Sequence, residues 1–322
     1  MEITQDAIAE AAARLEGVTL RTPVLPLTTA AWREVLPARA EVTLKLELFQ
    51  QAGSFKARGA FLGLSGLDAT ARAAGVVAAS GGNHALAVSW AARAAGVRAR
   101  ITMPHHVDPE RIEGCRALGA EVSLHADMPA AFAEMERIAA DEGATLMHPF
   151  EAEHMILGAA TCGAEIMSQM DALDVLVVPV GGGGLIAGIS AAAKSVRPEI
   201  EVIGVEPEGA DSLSRSLAEG RPVTLDRIDT IADSLGSPKA LPLSFGVARR
   251  YVDRVVRLPD SALRAGMRTF QRTLRIMAEP ACAASIAAVI GPLKDEMAGR
   301  RVGVIACGSN ISLERYTQLL RG

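Results

Sequence analysis

The stretch Asp174–Ala193, DVLVVPVGGGGLIAGISAAA, decides how the chain is read. Val175–Val180 is a short apolar run rich in valine, the mark of a strand buried on both faces. Gly181, Gly182, Gly183 and Gly184 follow, and glycine opens backbone angles closed to other residues. Leu185–Ala193 is small, apolar and without a breaker, so it reads as a helix packed against that strand. A helix start offers unpaired N–H groups and the positive end of its dipole, which together make a cradle for a phosphate. The plainer alternative is a tight turn that binds nothing. Four consecutive glycines cost conformational entropy, which weighs toward a ligand.

The same alternation continues on both sides. Strand candidates are EVTLKLE (41–47), GVVAAS (75–80), RARITMP (98–104), AEVSLH (120–125), ATLMHP (144–149), IEVIGVEP (200–207), YVDRVVRLP (251–259) and RVGVIA (301–306), with amphipathic or alanine-rich helical segments between them. Short buried strands divided by helices argue for βαβ units and an α/β fold with parallel sheets covered on both faces. In such sheets ligands bind beyond the carboxyl ends of strands. Three loops there stand out: SGGNHA (80–85), the glycine run at 181–184, and CGSN (307–310).

The totals narrow the class. A chain of 322 residues is long for one core, so two domains are expected. Its net charge of −4 and lack of basic runs disfavour nucleic acid and anionic membranes as main partners. Cys115, Cys162, Cys282 and Cys307 show no CxxC spacing, so neither a zinc site nor a disulfide framework is indicated. The acidic amphipathic start, MEITQDAIAEAAARLEG, lacks the basic end and apolar run of a signal peptide. No apolar stretch reaches the roughly 20 residues a membrane span needs. A cytoplasmic protein is the expectation.

The phosphate in question has two candidates. Gly182-x-Gly184-x-x-Ala187 fits the loose dinucleotide fingerprint, and Glu206 closes the next strand where a ribose-binding acid would fall. Several βαβ units precede this one, however, whereas the dinucleotide unit is commonly the first. Leu185 and Ile186 stand where a P-loop needs lysine and a hydroxyl residue, so nucleotide hydrolysis has no support.

Gly-Ser-Phe-Lys-x-Arg-Gly-Ala at 53–60, Ser-Gly-Gly-Asn-His at 80–84, Pro-Val-Gly-Gly-Gly-Gly-Leu at 179–185 and Cys-Gly-Ser-Asn at 307–310 bring a different answer. Together and in this order they resemble the serine/threonine dehydratase group of fold-type-II, tryptophan-synthase-β-like enzymes that use pyridoxal 5'-phosphate (PLP). The resemblance runs from RTPVLPL (21–27) to the C-terminal helix. It implies that Lys56 is the residue to which the cofactor attaches, and that the freed amine then removes the Cα proton of the substrate. A partly desolvated site should depress its pKa. Gly181 to Gly184 then hold the cofactor phosphate, and Phe55 packs near the cofactor or in the core. Ser80, Gly81, Gly82, Asn83 and His84 form the loop for the substrate carboxylate, with Asn83 also reaching the cofactor's ring hydroxyl. A plain helix cap is the other role open to Asn83, and local backbone bonding the other role open to His84. Cys307 would face the pyridine nitrogen. A neutral thiol there leaves that nitrogen largely unprotonated, which favours β-elimination over transamination. A small buried hydrophobe is its plainer role.

Departures from the family pattern matter as much. Serine racemases of this group carry a second serine where Gly81 stands, as an acid/base on the face opposite the lysine; glycine carries no proton there. Relatives bind a divalent cation at positions matching Glu206, Ala210 and Ser212, where Ser212 replaces an acid. Hard cations prefer several carboxylates, so these three are weak metal candidates and no metal is expected. Gly158-Ala159-Ala160-Thr161 replaces the common Gly-Gln-Gly-Thr. TIADSLGSP (230–238) matches a loop near the active site, and Glu279 lies either at the pyridine edge or simply at a helix start. The chain continues only twelve residues past Asn310, so the family's regulatory domain and its feedback control are expected to be absent.

The expectation is therefore a small domain of residues 51–146 inserted into a large cofactor domain of residues 1–50 and 147–322. The expected reaction is PLP-dependent dehydration of a β-hydroxy amino acid to a 2-oxo acid and ammonia. L-serine, L-threonine, 3-hydroxyaspartate and phenylserine all remain open as substrates. A racemase, a nicotinamide oxidoreductase and a non-catalytic amino-acid sensor are the alternatives. A homodimer is expected by analogy alone.

Overall fold

The computed structural model describes residues 2–321. Among the described residues ten strands form two sheets. They are β1 (Val24–Pro26), β2 (Glu41–Lys45), β3 (Val76–Ala79), β4 (Ala99–Pro104), β5 (Glu121–His125), β6 (Thr145–Leu146), β7 (Val175–Pro179), β8 (Glu201–Pro207), β9 (Arg254–Leu258) and β10 (Arg301–Ile305). The six-stranded sheet has the order β1-β2-β10-β7-β8-β9 and the four-stranded sheet the order β5-β4-β3-β6. The larger sheet thus takes strands from both ends of the chain, and the smaller one takes those between Val76 and Leu146.

Among the described residues fourteen helices cover the sheets: α1 (Gln5–Leu15), α2 (Ala30–Arg33), α3 (Lys56–Ser65), α4 (Ala69–Ala74), α5 (Asn83–Ala95), α6 (Pro109–Ala117), α7 (Met128–Glu142), α8 (Glu153–Gln169), α9 (Gly184–Val196), α10 (Ser212–Glu219), α11 (Pro242–Tyr251), α12 (Asp260–Leu274), α13 (Pro280–Ile290) and α14 (Leu313–Arg321). Their ends follow local chemistry. Asp127 caps α7 by accepting from the Ala130 amide, and Gly143 ends that helix at φ 69°. Asp108 caps α6 ahead of Pro109 in its first turn. Every residue from Pro280 to Val289 is buried, as expected of a helix apolar on all sides that lies against β7 and α12.

Strand pairing is parallel with one exception. β10 lies between β2 and β7 in parallel register, Val304 opposite Leu44 and Val177. The parallel-rich sheets match the expectation, and the exception is β1, which runs antiparallel to β2 with Val24 opposite Lys45. The segment RTPVLPL hides a strand because Pro23 precedes it and Pro26 ends it, and proline is tolerated in sheets chiefly on an edge. β6 is shorter than the 144–149 run suggested. It stops at Leu146, although the Met147 amide still donates to the Val77 carbonyl at 2.9 Å, and Phe150 packs against Gly182 and Gly184 beyond the end of β7. Separate apolar cores form around the two sheets. Among the described residues no helix is long and apolar enough to cross a membrane.

Candidate active site

Lys56 is the first residue of α3. Two loops strap it in place. The Phe55 amide donates to the Cys307 carbonyl at 3.1 Å, the Ser309 amide to the Gly53 carbonyl at 3.1 Å, and Ser54 bridges Gly308 in antiparallel fashion. The Asn310 side chain completes the strap by donating to the Ala52 carbonyl at 2.8 Å. The Lys56 amine lies 5.1 Å from the centre of the Phe55 ring and donates to the Pro149 carbonyl. Burial pulls its pKa down from 10.5 to about 8. It is an amine of lowered basicity with no carboxylate bonded to it, the state a nucleophile or base requires.

The helix carrying Lys56 is held by two features. Gly59 and Gly158 let α3 and α8 touch, since a Cβ on Gly158 would lie 2.3 Å from the Gly59 nitrogen. Beneath that crossing is a buried ionic network. Arg58 donates to both oxygens of Glu47 at 2.8 Å and to those of Glu165 at 2.7 and 2.9 Å. Lys45 donates to Glu165 at 2.6 Å, to Gln169 at 2.7 Å and to the Thr22 carbonyl at 2.8 Å. Two cations thus face two carboxylates with every strong donor used, the condition under which buried charge is tolerated.

The glycine loop opens onto the same place. Gly183 has φ 87° and precedes α9, whose first turn has no side-chain cap. Its amides are available to an anion. Gly182 is also needed for packing, because a Cβ there would lie 2.2 Å from the Phe150 ring. Phe150 directly follows Pro149, so this contact joins the glycine loop to the acceptor of the Lys56 amine. Gly181 faces the 230–236 loop, with the Ser234 carbonyl 3.0 Å from its ideal Cβ.

Asn83 is not a helix cap: that place belongs to Gly82. Its amide nitrogen donates to Glu279 Oε1 at 2.7 Å, and its oxygen accepts from Asn310 at 2.7 Å. Glu279 does occupy the start of α13, but its side chain makes no cap there. It is buried and turned toward Asn83 and Ser234. Burial pushes its pKa up to about 7, while Arg111 pulls the other way. Cys307 is buried, and desolvation holds its thiol well above the usual range, so it is neutral.

The remaining candidates take these places. Ser80 Oγ accepts from the Gly82 amide at 3.2 Å, shaping the loop. His84 is buried, its Nε2 2.7 Å from the Met147 carbonyl and its Nδ1 without a partner. Val107 fills the side-chain space at Gly81, its Cγ2 lying 2.4 Å from an ideal Cβ. Glu206 lies apart from this cluster. It accepts from the Leu213 and Ser214 amides at 2.8 Å and thereby starts α10. Asp211 is engaged by Arg215 and Arg257 at 2.8 and 3.1 Å, and the Ser212 hydroxyl has no partner. Glu206, Ala210 and Ser212 thus offer a single acid, already bonded to two backbone amides, and among the described residues no group of three or more His, Cys, Asp or Glu is placed to hold a metal. Sequence reasoning missed Arg111, Pro149 and Phe150, and it placed Asp233 only as part of the 230–238 loop near the site. Of the three, HPF (148–150), set at the end of a strand candidate, carried a signal.

An amine of lowered basicity, an uncapped helix start and a neutral thiol, all near the ends of parallel strands, are what a cleft for a phosphorylated aldehyde needs. The fit is close: the helix start suits the phosphate, Lys56 suits the carbonyl carbon, and the buried Ser54 hydroxyl, unpartnered beside Gly308, has bonding capacity to spare. A family model for pyridoxal-phosphate dependent enzymes matches residues 15–308, and the chain belongs to that family. It is 46% identical over 314 residues to a phenylserine dehydratase of Ralstonia pickettii, covering 98% of this chain and 95% of that one. It is 37% identical to an L-threonine ammonia-lyase of Thermotoga maritima, covering 99% of this chain and 78% of that one. The structure of maize serine racemase matches with a TM-score of 0.92 at 33% identity, covering 100% of this chain and 98% of that one. The protein is a PLP-dependent enzyme of the dehydratase and ammonia-lyase kind. The nicotinamide alternative falls with that membership, and the acid it needed, Glu206, is spent on the backbone of α10.

Proposed function

We propose that the protein removes water from a β-hydroxy amino acid, 3-phenylserine first among the candidates, to release a 2-oxo acid and ammonia. The observation that carries the reading is the Lys56 amine, its pKa lowered to about 8 and its N–H donated to the Pro149 carbonyl, next to the Phe150 ring that packs on Gly182. Phenylserine is placed first because the 46% identical relative is a phenylserine dehydratase. L-threonine comes second on the 37% identical ammonia-lyase.

Bound pyridoxal phosphate supplies a sink for the electron pair left on Cα when its proton departs. The amides of Gly181 to Gly184 and the start of α9 would hold its phosphate, and Lys56 would attach to its carbonyl carbon. The loop from Ser80 to His84 turns the start of α5 toward the substrate carboxylate. Lys56, neutral once displaced, takes the Cα proton. The β-hydroxyl leaves with a proton as water, and the enamine hydrolyses in solution to the 2-oxo acid and ammonia. Cys307, kept neutral by burial, cannot deliver a proton-holding negative charge to the ring nitrogen.

The test is 2-oxo acid release with PLP present, offering L-serine, L-threonine, both 3-hydroxyaspartate diastereomers and phenylserine in parallel. Fastest release from phenylserine is the expected outcome. No release from any of them would overturn the reading.

Gly81, whose side-chain space Val107 fills, carries no group that could act as the second acid racemisation requires, and this supports the elimination reading. Gly81→Ser is expected to melt lower, since overpacking costs about 1–3 kcal/mol and valine has few rotamers into which to retreat. It should also form no D-amino acid. Gly81→Ser combined with Val107→Ala restores the melting temperature and is the variant in which chiral chromatography should first detect racemisation. A single Gly81→Ser variant that racemises freely at the wild-type melting temperature would refute the role of Val107.

A further inference from the structure

We propose that Arg111 is a positioning residue of this site, holding Glu279 as the acceptor that orients Asn83 while tying together the loops around the cleft. Arg111 projects from α6 and is 8% exposed. Its Nε donates to the Asn310 carbonyl at 3.0 Å, and its Nη1 to the Gly81 carbonyl at 3.3 Å and to Asp233 at 2.6 Å. Its Nη2 lies 3.7 Å from Glu279 Oε2. One side chain therefore spans the loop after β3, the 230–236 loop, the loop after β10 and the start of α13.

The consequence lies in Glu279. Its two oxygens accept from Asn83 at 2.7 Å and from Ser234 at 3.1 Å, and a carboxylate can accept at both. A protonated Glu279 must donate from one oxygen. It then either opposes the Asn83 N–H or reverses the Ser234 hydroxyl, and in both cases it loses its attraction to Arg111. Asn83 is fixed at its other end by Asn310, so a weakened Glu279 contact lets the amide turn. The charged and titratable groups facing Glu279 are Arg111 from α6, Asp233 from the 230–236 loop, and the thiols of Cys282 and Cys307. Arg111 favours the carboxylate and Asp233 opposes it, so the two neighbours act with opposite sign.

This inference rests on the cleft being the cofactor site, and its test has a readout that needs no turnover. The absorbance of PLP bound to the holoenzyme is titrated with acid in the absence of substrate, and kcat and kcat/KM are followed over the same pH range. Arg111→Gln is expected to raise the acid transition by about one pH unit or more, as loss of an opposite charge at this range does. Asp233→Asn is expected to lower it. Arg111→Lys, which keeps the charge, should return most of the way to wild type. Transitions that do not move, or that move the same way in Arg111→Gln and Asp233→Asn, would overturn the role of Arg111. If Arg111→Gln yields no folded holoenzyme, Asp233→Asn decides alone: a downward shift supports the proposal and any other result overturns it. A wild-type protein that binds no PLP would sink the reading of the cleft, and this role with it.

Discussion

Lys56→Ala is expected to lower turnover by roughly ten-thousand-fold or more, because one change removes both the attachment point and the base. Borohydride reduction should fix PLP to the wild-type chain and leave the variant unlabelled. A second result separates this role from a structural one. In the cofactor-free protein a charged Lys56 is held in a desolvated place, so its folded pKa of about 8 lies below the ordinary 10.5. The unfolded chain then binds the proton more tightly, and the folded state is penalised in full below pH 8. The penalty fades as pH rises from about 8 to 10.5, where the amine becomes neutral in both states. Cofactor-free Lys56→Ala should therefore melt above wild type at pH 7, with the gap closing across that window. A variant that retains turnover ends the mechanism. A variant that loses turnover but melts lower at pH 7 removes the claim that the amine is strained by its site.

Much of this was legible because the responsible signals are local. The strand, four glycines and helix at 174–193 declare a βα unit through composition alone, and β7 and α9 lie where that composition places them. Lys56, Asn83 and Cys307 drew attention through the short motifs that resemble the dehydratase group, and in the fold Lys56 and Asn83 each open a helix while Cys307 follows β10. The antiparallel β1 was not visible, since two prolines mask a three-residue edge strand. Arg111 was invisible for another reason. On the sequence it is one arginine on a charged helix beside Glu110 and Glu113, and only tertiary packing brings Asp233, Glu279 and Asn310 to it. Glu279 shows both limits at once. Its helix-start position was readable, but the direction of its side chain depends on Asn83, 196 residues away in the chain. Residues whose role is set by partners distant in sequence leave no periodicity or spacing to read.

Arg58→Ala should be the most destabilising single change near the site. Arg58 and Glu47 are 1% and 0% exposed, and Arg58 also satisfies Glu165. Its removal strands a buried carboxylate, a loss of about 3–5 kcal/mol where such pairs are broken from one side. Whole domains are stable by only about 5–15 kcal/mol, so the urea midpoint of the variant should fall steeply at pH 7. Glu47 supplies a sign check. Its pKa is lowered in the fold because Arg58, Thr22 and Lys45 together outweigh its burial. That contribution is present above its ordinary value of 4.5 and is lost as pH falls through the folded value. The gap between wild type and Arg58→Ala should accordingly narrow in acid. The double variant Arg58→Leu with Glu47→Leu removes one charge of each sign and leaves Lys45 paired to Glu165 at 2.6 Å. No unpaired charge remains buried, so it should be more stable than Arg58→Ala at neutral pH, even though the Thr22 hydroxyl loses its acceptor. Equal or greater destabilisation in the double variant would mean that the network acts through shape and packing under α3 rather than through the balance of its charges.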